Sequence, residues 1–126
     1  MLTYPADKYY PAAVLPLADR QWPSRQLTHA PRWLSTDLRD GNQALAVPMD
    51  SARKLAFWQL LLRCGFSEIE VAFPAASQTD YAFVRELIEE DRIPPHVTIQ
   101  VLTQARSDLI DRTFEALTGV RQAIVH

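Results

Sequence analysis

The chain has 126 residues, 48% of them hydrophobic, and its 13 basic and 15 acidic side chains leave a net charge of −2. That is one domain's worth of length with enough apolar residues for a core. The interspersed charge, without a basic block, points away from nucleic acid and anionic membranes. No apolar run approaches the ~20 residues of a membrane span, so no membrane partner is expected. Met1 to Tyr10 lack the layout of a signal peptide. The single cysteine, Cys64, permits no internal disulfide and fits a reducing compartment, so the cytoplasm is the expected location.

Five prolines (Pro5, Pro11, Pro16, Pro23, Pro31) precede the first predicted strand. Proline lacks a backbone donor and fixes φ, which predicts an extended arm over residues 1–31. The arm also carries Tyr4, Tyr9, Tyr10, Leu15, Leu17 and Trp22. So many apolar and aromatic residues suit packing, on the chain's own barrel or on a neighbouring subunit, better than a flexible tail.

After the arm, strands and amphipathic helices alternate. The first strand is predicted from Trp33 to Leu38. The first helix opens at Asp50, a good N-cap, and buries Leu55, Trp58, Leu61 and Leu62 at spacings of three and four. Gly65 stops it. The second strand runs from Ser67 to Phe73. A second helix begins near Ser77 or Thr79, turns Val84, Leu87 and Ile88 inward, and is finished by Pro94-Pro95. The third strand is Val97 to Leu102. The third helix spans Ser107 to about Thr118 with Leu109, Ile110, Phe114 and Leu117 inward, and a fourth strand begins near Arg121. Such alternation implies a parallel sheet with right-handed crossovers.

The organising stretch is Leu38-Arg39-Asp40-Gly41-Asn42-Gln43. Neighbouring residues on a strand point to opposite faces, so Arg39 and Asp40 can converge only where the strand ends. That is where parallel α/β folds build their sites. In the second strand Ile69, Val71 and Phe73 share one face and Glu68 and Glu70 the other. With the apolar set under the helices, Glu70 points the opposite way and needs a partner, and Arg39 is the natural one.

Lys54 follows Gln43 by eleven residues. Leu-Arg-Asp-Gly-x-Gln, ten residues and Lys resembles the signature of the alpha-isopropylmalate synthase/homocitrate synthase family, metal-dependent acyl-CoA condensing enzymes on TIM barrels. The long-chain isopropylmalate synthase subgroup is the nearest match. Further stretches that fit it are Tyr4-Pro5-Ala6-Asp7-Lys8-Tyr9, Arg20-Gln21-Trp22-Pro23-Ser24-Arg25, Glu68-Ile69-Glu70-Val71 with Phe73-Pro74-Ala75-Ala76-Ser77-Gln78-Thr79-Asp80, and Ile99-Gln100-Val101-Leu102-Thr103-Gln104.

The resemblance implies an α/β fold: the N-terminal half of a TIM (β/α)8 barrel over residues 32–126, about three βα units plus a fourth strand, preceded by the extended Pro-rich arm. A whole barrel takes ~250 residues, so the expectation is a truncated barrel. The implied activity is condensation of acetyl-CoA with 3-methyl-2-oxobutanoate to 2-isopropylmalate in leucine biosynthesis, by a homodimer when full length.

Carried over, Asp40 is the metal ligand, for a divalent Mg, Mn or Zn ion. Arg39 and Glu70 are the catalytic pair, Arg39 steadying oxyanion charge and Glu70 holding Arg39. Arg39, Gln43 and His126 bind substrate. The other metal ligands, a His-x-His motif, are absent, so the metal site is incomplete and the chain alone is expected to be inactive. Lys54 is expected to be a solvated helix residue and Cys64 a buried thiol. Two other readings stand beside this one: a homocitrate synthase-like acyltransferase, and a non-catalytic half-barrel that associates with a complementary chain.

Overall fold

The computed structural model describes residues 8–10, 12–22, 25 and 27–126. The chain divides into two compact units, Met1–Pro31 and Arg32–His126. In the first, the described residues form no strand and no α-helix, and a turn at residues 18–19 is closed by Arg20 N–H on Leu17 O at 3.3 Å. Tyr4, Pro5, Pro11 and Pro23 of the expected arm lie outside the described residues.

The second unit is α/β. Its elements in order are β1 (Leu34–Ser35), a wide turn (Asp37–Gly41), α1 (Ser51–Cys64), β2 (Glu68–Ala72), α2 (Gln78–Glu89), β3 (Thr98–Val101), α3 (Ser107–Ala116) and β4 (Ala123–Val125). The four strands pair in parallel in the order β1-β2-β3-β4. With right-handed crossovers, sequential order places all three helices on one face of the sheet. That face holds the core: Trp58 and Leu61 of α1, Ile69 and Val71 of β2, Phe83, Val84 and Leu87 of α2, and Ile99 and Val101 of β3.

The helix ends follow local chemistry. Asp50 caps α1 by accepting from Arg53 N–H at 2.9 Å, and Gly65 closes it in the left-handed region at φ 88°, where a side chain is disfavoured. Ser77 caps α2 by accepting from Asp80 N–H at 3.1 Å. α2 ends at Glu89, before the prolines expected to finish it, because Asp91 turns left-handed at φ 49° and Arg92 N–H bonds back to Leu87 O at 2.9 Å.

Three expectations need correction. The first strand is shorter than Trp33 to Leu38: pairing with β2 covers only Leu34 and Ser35, and the backbone then winds into the wide turn. Phe114 is 59% exposed rather than inward, since Thr113, Ala116 and, as expected, Leu117 turn to the interior, a stripe that passes Phe114 by one residue. Cys64 is exposed, because it is the last residue of α1, beyond the buried Leu61.

Candidate functional site at the C-terminal ends of the strands

The wide turn after β1 is built on one carbonyl. Thr36 O accepts from the amides of Arg39 at 3.2 Å, Asp40 at 2.9 Å and Gly41 at 3.2 Å. The last of these is a π-type bond, which widens the turn, a geometry frequent at functional sites. Leu38, fully buried, pins the turn into the core. Ser35 Oγ donates to Asp37 Oδ2 at 2.6 Å, and Asn42 Oδ1 accepts Met49 N–H at 2.7 Å, closing the loop into α1. Arg39 is thereby carried off the end of β1 toward β2.

There it meets Glu70, which is wholly buried. Arg39 Nε donates to Glu70 Oε1 at 2.7 Å and Nη2 to Oε2 at 3.1 Å, a two-pronged pair that fixes the guanidinium plane. The remaining Nη1 donates to Asp40 Oδ1 at 3.0 Å. The hydrogen bonds to Glu70 raise the Arg39 pKa most; partial burial opposes them, and the charges of Glu70 and Asp40 add to the rise. His126 follows β4. Its backbone N–H donates to Val101 O at 3.1 Å, and its Nε2 lies 2.7 Å from Glu70 Oε1. A carboxylate only accepts, so the proton is assigned to Nε2.

Four of the residues singled out in the sequence, Arg39, Asp40, Glu70 and His126, thus form one connected cluster drawn from the turn after β1, from β2 and from the residue after β4. Gln43 is exposed in the loop beyond the turn, and no hydrogen bond links it to the cluster among the described residues.

Against this geometry the similarity to known proteins can be read. The HMGL-like family pattern matches residues 30–126. The chain belongs to the HMGL-like family. It is 63% identical over its full length to the 2-isopropylmalate synthase of Marinomonas sp. (strain MWYL1), covering 23% of that protein. It is 64% identical over its full length to that of Paraburkholderia phytofirmans, covering 22%, and 62% identical over 97% of its length to that of Thermobifida fusca, again covering 22%. The chain therefore spans less than a quarter of the length of these curated relatives.

The donor set can be compared with what a divalent ion needs. Asp40 offers a carboxylate that is 67% exposed, with Oδ1 on Arg39, and an oxygen donor suits a hard cation. Glu70 has both oxygens engaged. No group of three His, Cys, Asp or Glu side chains able to hold an ion occurs among the described residues. Asp40 fits as one ligand and the chain as part of a site. No described helix is long and apolar enough to cross a membrane.

Lys54 is the clearest departure from the sequence reading. It is wholly buried, not solvated, and pairs with Asp80 at 2.6 Å. The signal was present: Lys54, Trp58 and Leu61 stand four and three residues apart, one helical stripe. A charged residue on that stripe demands a partner. Asp80 was masked by its position three residues after the Ser77 cap, where an acid needs no further explanation.

Proposed function

We propose that this chain forms the strand-end part of a 2-isopropylmalate synthase active site, acting on acetyl-CoA and 3-methyl-2-oxobutanoate in leucine biosynthesis. The carrying observation is the Asp40–Arg39–Glu70–His126 cluster at the C-terminal ends of parallel strands, in a chain whose curated relatives bear that name. Residues 32–126 are read as the N-terminal half of a TIM barrel and residues 1–31 as an extended arm. The sequential parallel order supports the barrel reading, since doubly wound sheets reverse their order at a switch point.

In this reading Arg39 is the cation that meets charge developing on the condensing substrates. Glu70 takes its Nε–Nη2 edge, which fixes the guanidinium plane, so Arg39 needs no reorganisation as the reaction proceeds. His126 and Gln43 face the 2-oxo acid, His126 oriented by its bond to Glu70. Asp40 contributes one ligand to a Mg, Mn or Zn ion, which when bound would polarise the ketone. With one ligand in hand, the chain alone binds metal weakly and does not turn over. The whole enzyme is read as a homodimer of the cytoplasm.

The test is a chimera in which this chain replaces the matching segment of the Paraburkholderia phytofirmans enzyme. Release of CoA thiol is followed with 3-methyl-2-oxobutanoate and with 2-oxoglutarate. Release dependent on the first substrate and on added divalent metal is expected. Preference for 2-oxoglutarate would assign homocitrate-type chemistry instead, and a folded, dimeric but silent chimera would overturn the reading. Asp40→Asn should weaken metal binding, with partial rescue by excess metal.

A further inference from the structure

The β2–β3 ladder slips beside Glu70. Glu70 faces Gln100 while Ala72 faces Val101, which leaves Val71 unmatched. A bulge re-aims the side chains around it, and its backbone groups need partners outside the ladder. Lys54 of α1 supplies one: its Nζ donates to Val71 O at 3.4 Å and to Asp80 Oδ1 at 2.6 Å. Asp80 of α2 supplies the next, its Oδ2 accepting Phe73 N–H at 2.8 Å. The ammonium also lies 5.1 Å from the centre of the Phe83 ring. Neither Lys54 nor Asp80 hydrogen-bonds Arg39, Glu70 or His126.

We propose that Lys54 and Asp80 are positioning residues for the Arg39–Glu70 pair. Together they grip the backbone at Val71 and Phe73, hold the bulge in one geometry, and so aim the Glu70 carboxylate at Arg39. Apolar side chains could fill the same space but could not bond Val71 O and Phe73 N–H. Lys54 also sits on the helix that follows the Arg39-Asp40 loop, so one buried cation ties that loop's exit to the strand carrying Glu70. The significance of the aim rests on the synthase reading above; the mechanical link does not.

The test reads Arg39 directly, without turnover, by hydrogen exchange of its Nε–H in the full chain carrying isotope-labelled arginine. Lys54→Met/Asp80→Leu removes both charges together, a replacement that buried ion pairs often tolerate. In that variant Arg39 Nε–H exchange should accelerate about tenfold or more, while amides of α3 stay within about twofold. A folded variant with unchanged Arg39 exchange would overturn the proposal. The unaltered chain gives an independent reading if the variant fails to fold. There Phe73 N–H and Arg39 Nε–H should open together, their exchange rising in parallel with denaturant; separate openings would overturn the link. A silent synthase assay with this coupling intact would count against the synthase reading alone.

Discussion

Two charged pairs lie near the C-terminal half of β2, and they are built to opposite specifications. Arg39–Glu70 is buried on one side only: the Glu70 side chain is 1% exposed, Arg39 17%, and the attached Asp40 and His126 are 67% and 40% exposed. Lys54–Asp80 is closed around its cation instead: the Lys54 side chain is 1% exposed and Asp80 18%, and the remaining bonds go to backbone. A cation meant to meet a ligand must keep a reachable side, whereas a cation that shapes a strand is best spent on carbonyls and a carboxylate within the fold. The contrast fits the roles proposed for them, Arg39 as the cation that acts and Lys54 as the one that holds.

The largest effect should come from breaking the closed pair. Lys54→Met leaves the partly buried Asp80 without its cation and should cost about 3 kcal/mol, the low end for an enclosed pair, read from the urea midpoint, whereas Lys54→Met/Asp80→Leu should regain most of that loss. Equal destabilisation by the single and double variants would contradict the description of a closed ion pair.

At the open pair the loss should fall on rate rather than on folding. In the chimeric enzyme, Arg39→Lys keeps the charge but loses the fork, and turnover should drop ~10²–10³-fold with a smaller change in KM for the 2-oxo acid. The urea midpoint should move less than for Lys54→Met. A large stability loss with turnover preserved would reverse the assignment of roles.

Smaller still are the caps that lead into each region. Asp50→Ala and Ser77→Ala should each cost about 1 kcal/mol. Ser77→Ala should be the costlier, because the amide it caps belongs to Asp80, whose carboxylate holds Lys54 and Phe73 N–H, while the amide Asp50 caps belongs to the exposed Arg53. Thermal unfolding of the two variants side by side would show the order.

The smallest effect marks the fully exposed limit. Asp108 beside Arg106 has its pKa lowered from the ordinary 3.8, first by the hydrogen bond from Arg106. A carboxyl with a lower pKa folded than unfolded binds fewer protons in the folded state. Its contribution is therefore present above pH 3.8 and is lost as pH falls below that value toward the folded pKa. Solvent screening keeps it slight. Asp108→Asn should flatten the acid limb of stability only marginally, as a pH series of urea midpoints would register.

Much of this molecule is determined by local chemistry and can be read residue by residue. Asp50, Gly65 and Ser77 mark helix ends because capping depends only on neighbours along the chain. The strand–helix alternation and the parallel order follow from hydrophobic periodicity and chirality. The pairing of Glu70 with Arg39 was legible because a carboxylate opposite Ile69 and Val71 has to find a cation, and the turn after β1 offers one. What only the tertiary structure decided are the details that depend on several elements at once. The Val71 bulge, the burial of Lys54 against Asp80 and the shortening of β1 into a wide turn arise where α1, β2 and α2 meet. α3 likewise chose which face to bury, leaving Phe114 outside, because Thr113, Ala116 and Leu117 form the stripe that fits the interior. Periodicity ranks the faces of an isolated helix; packing against a particular neighbour settles which one wins.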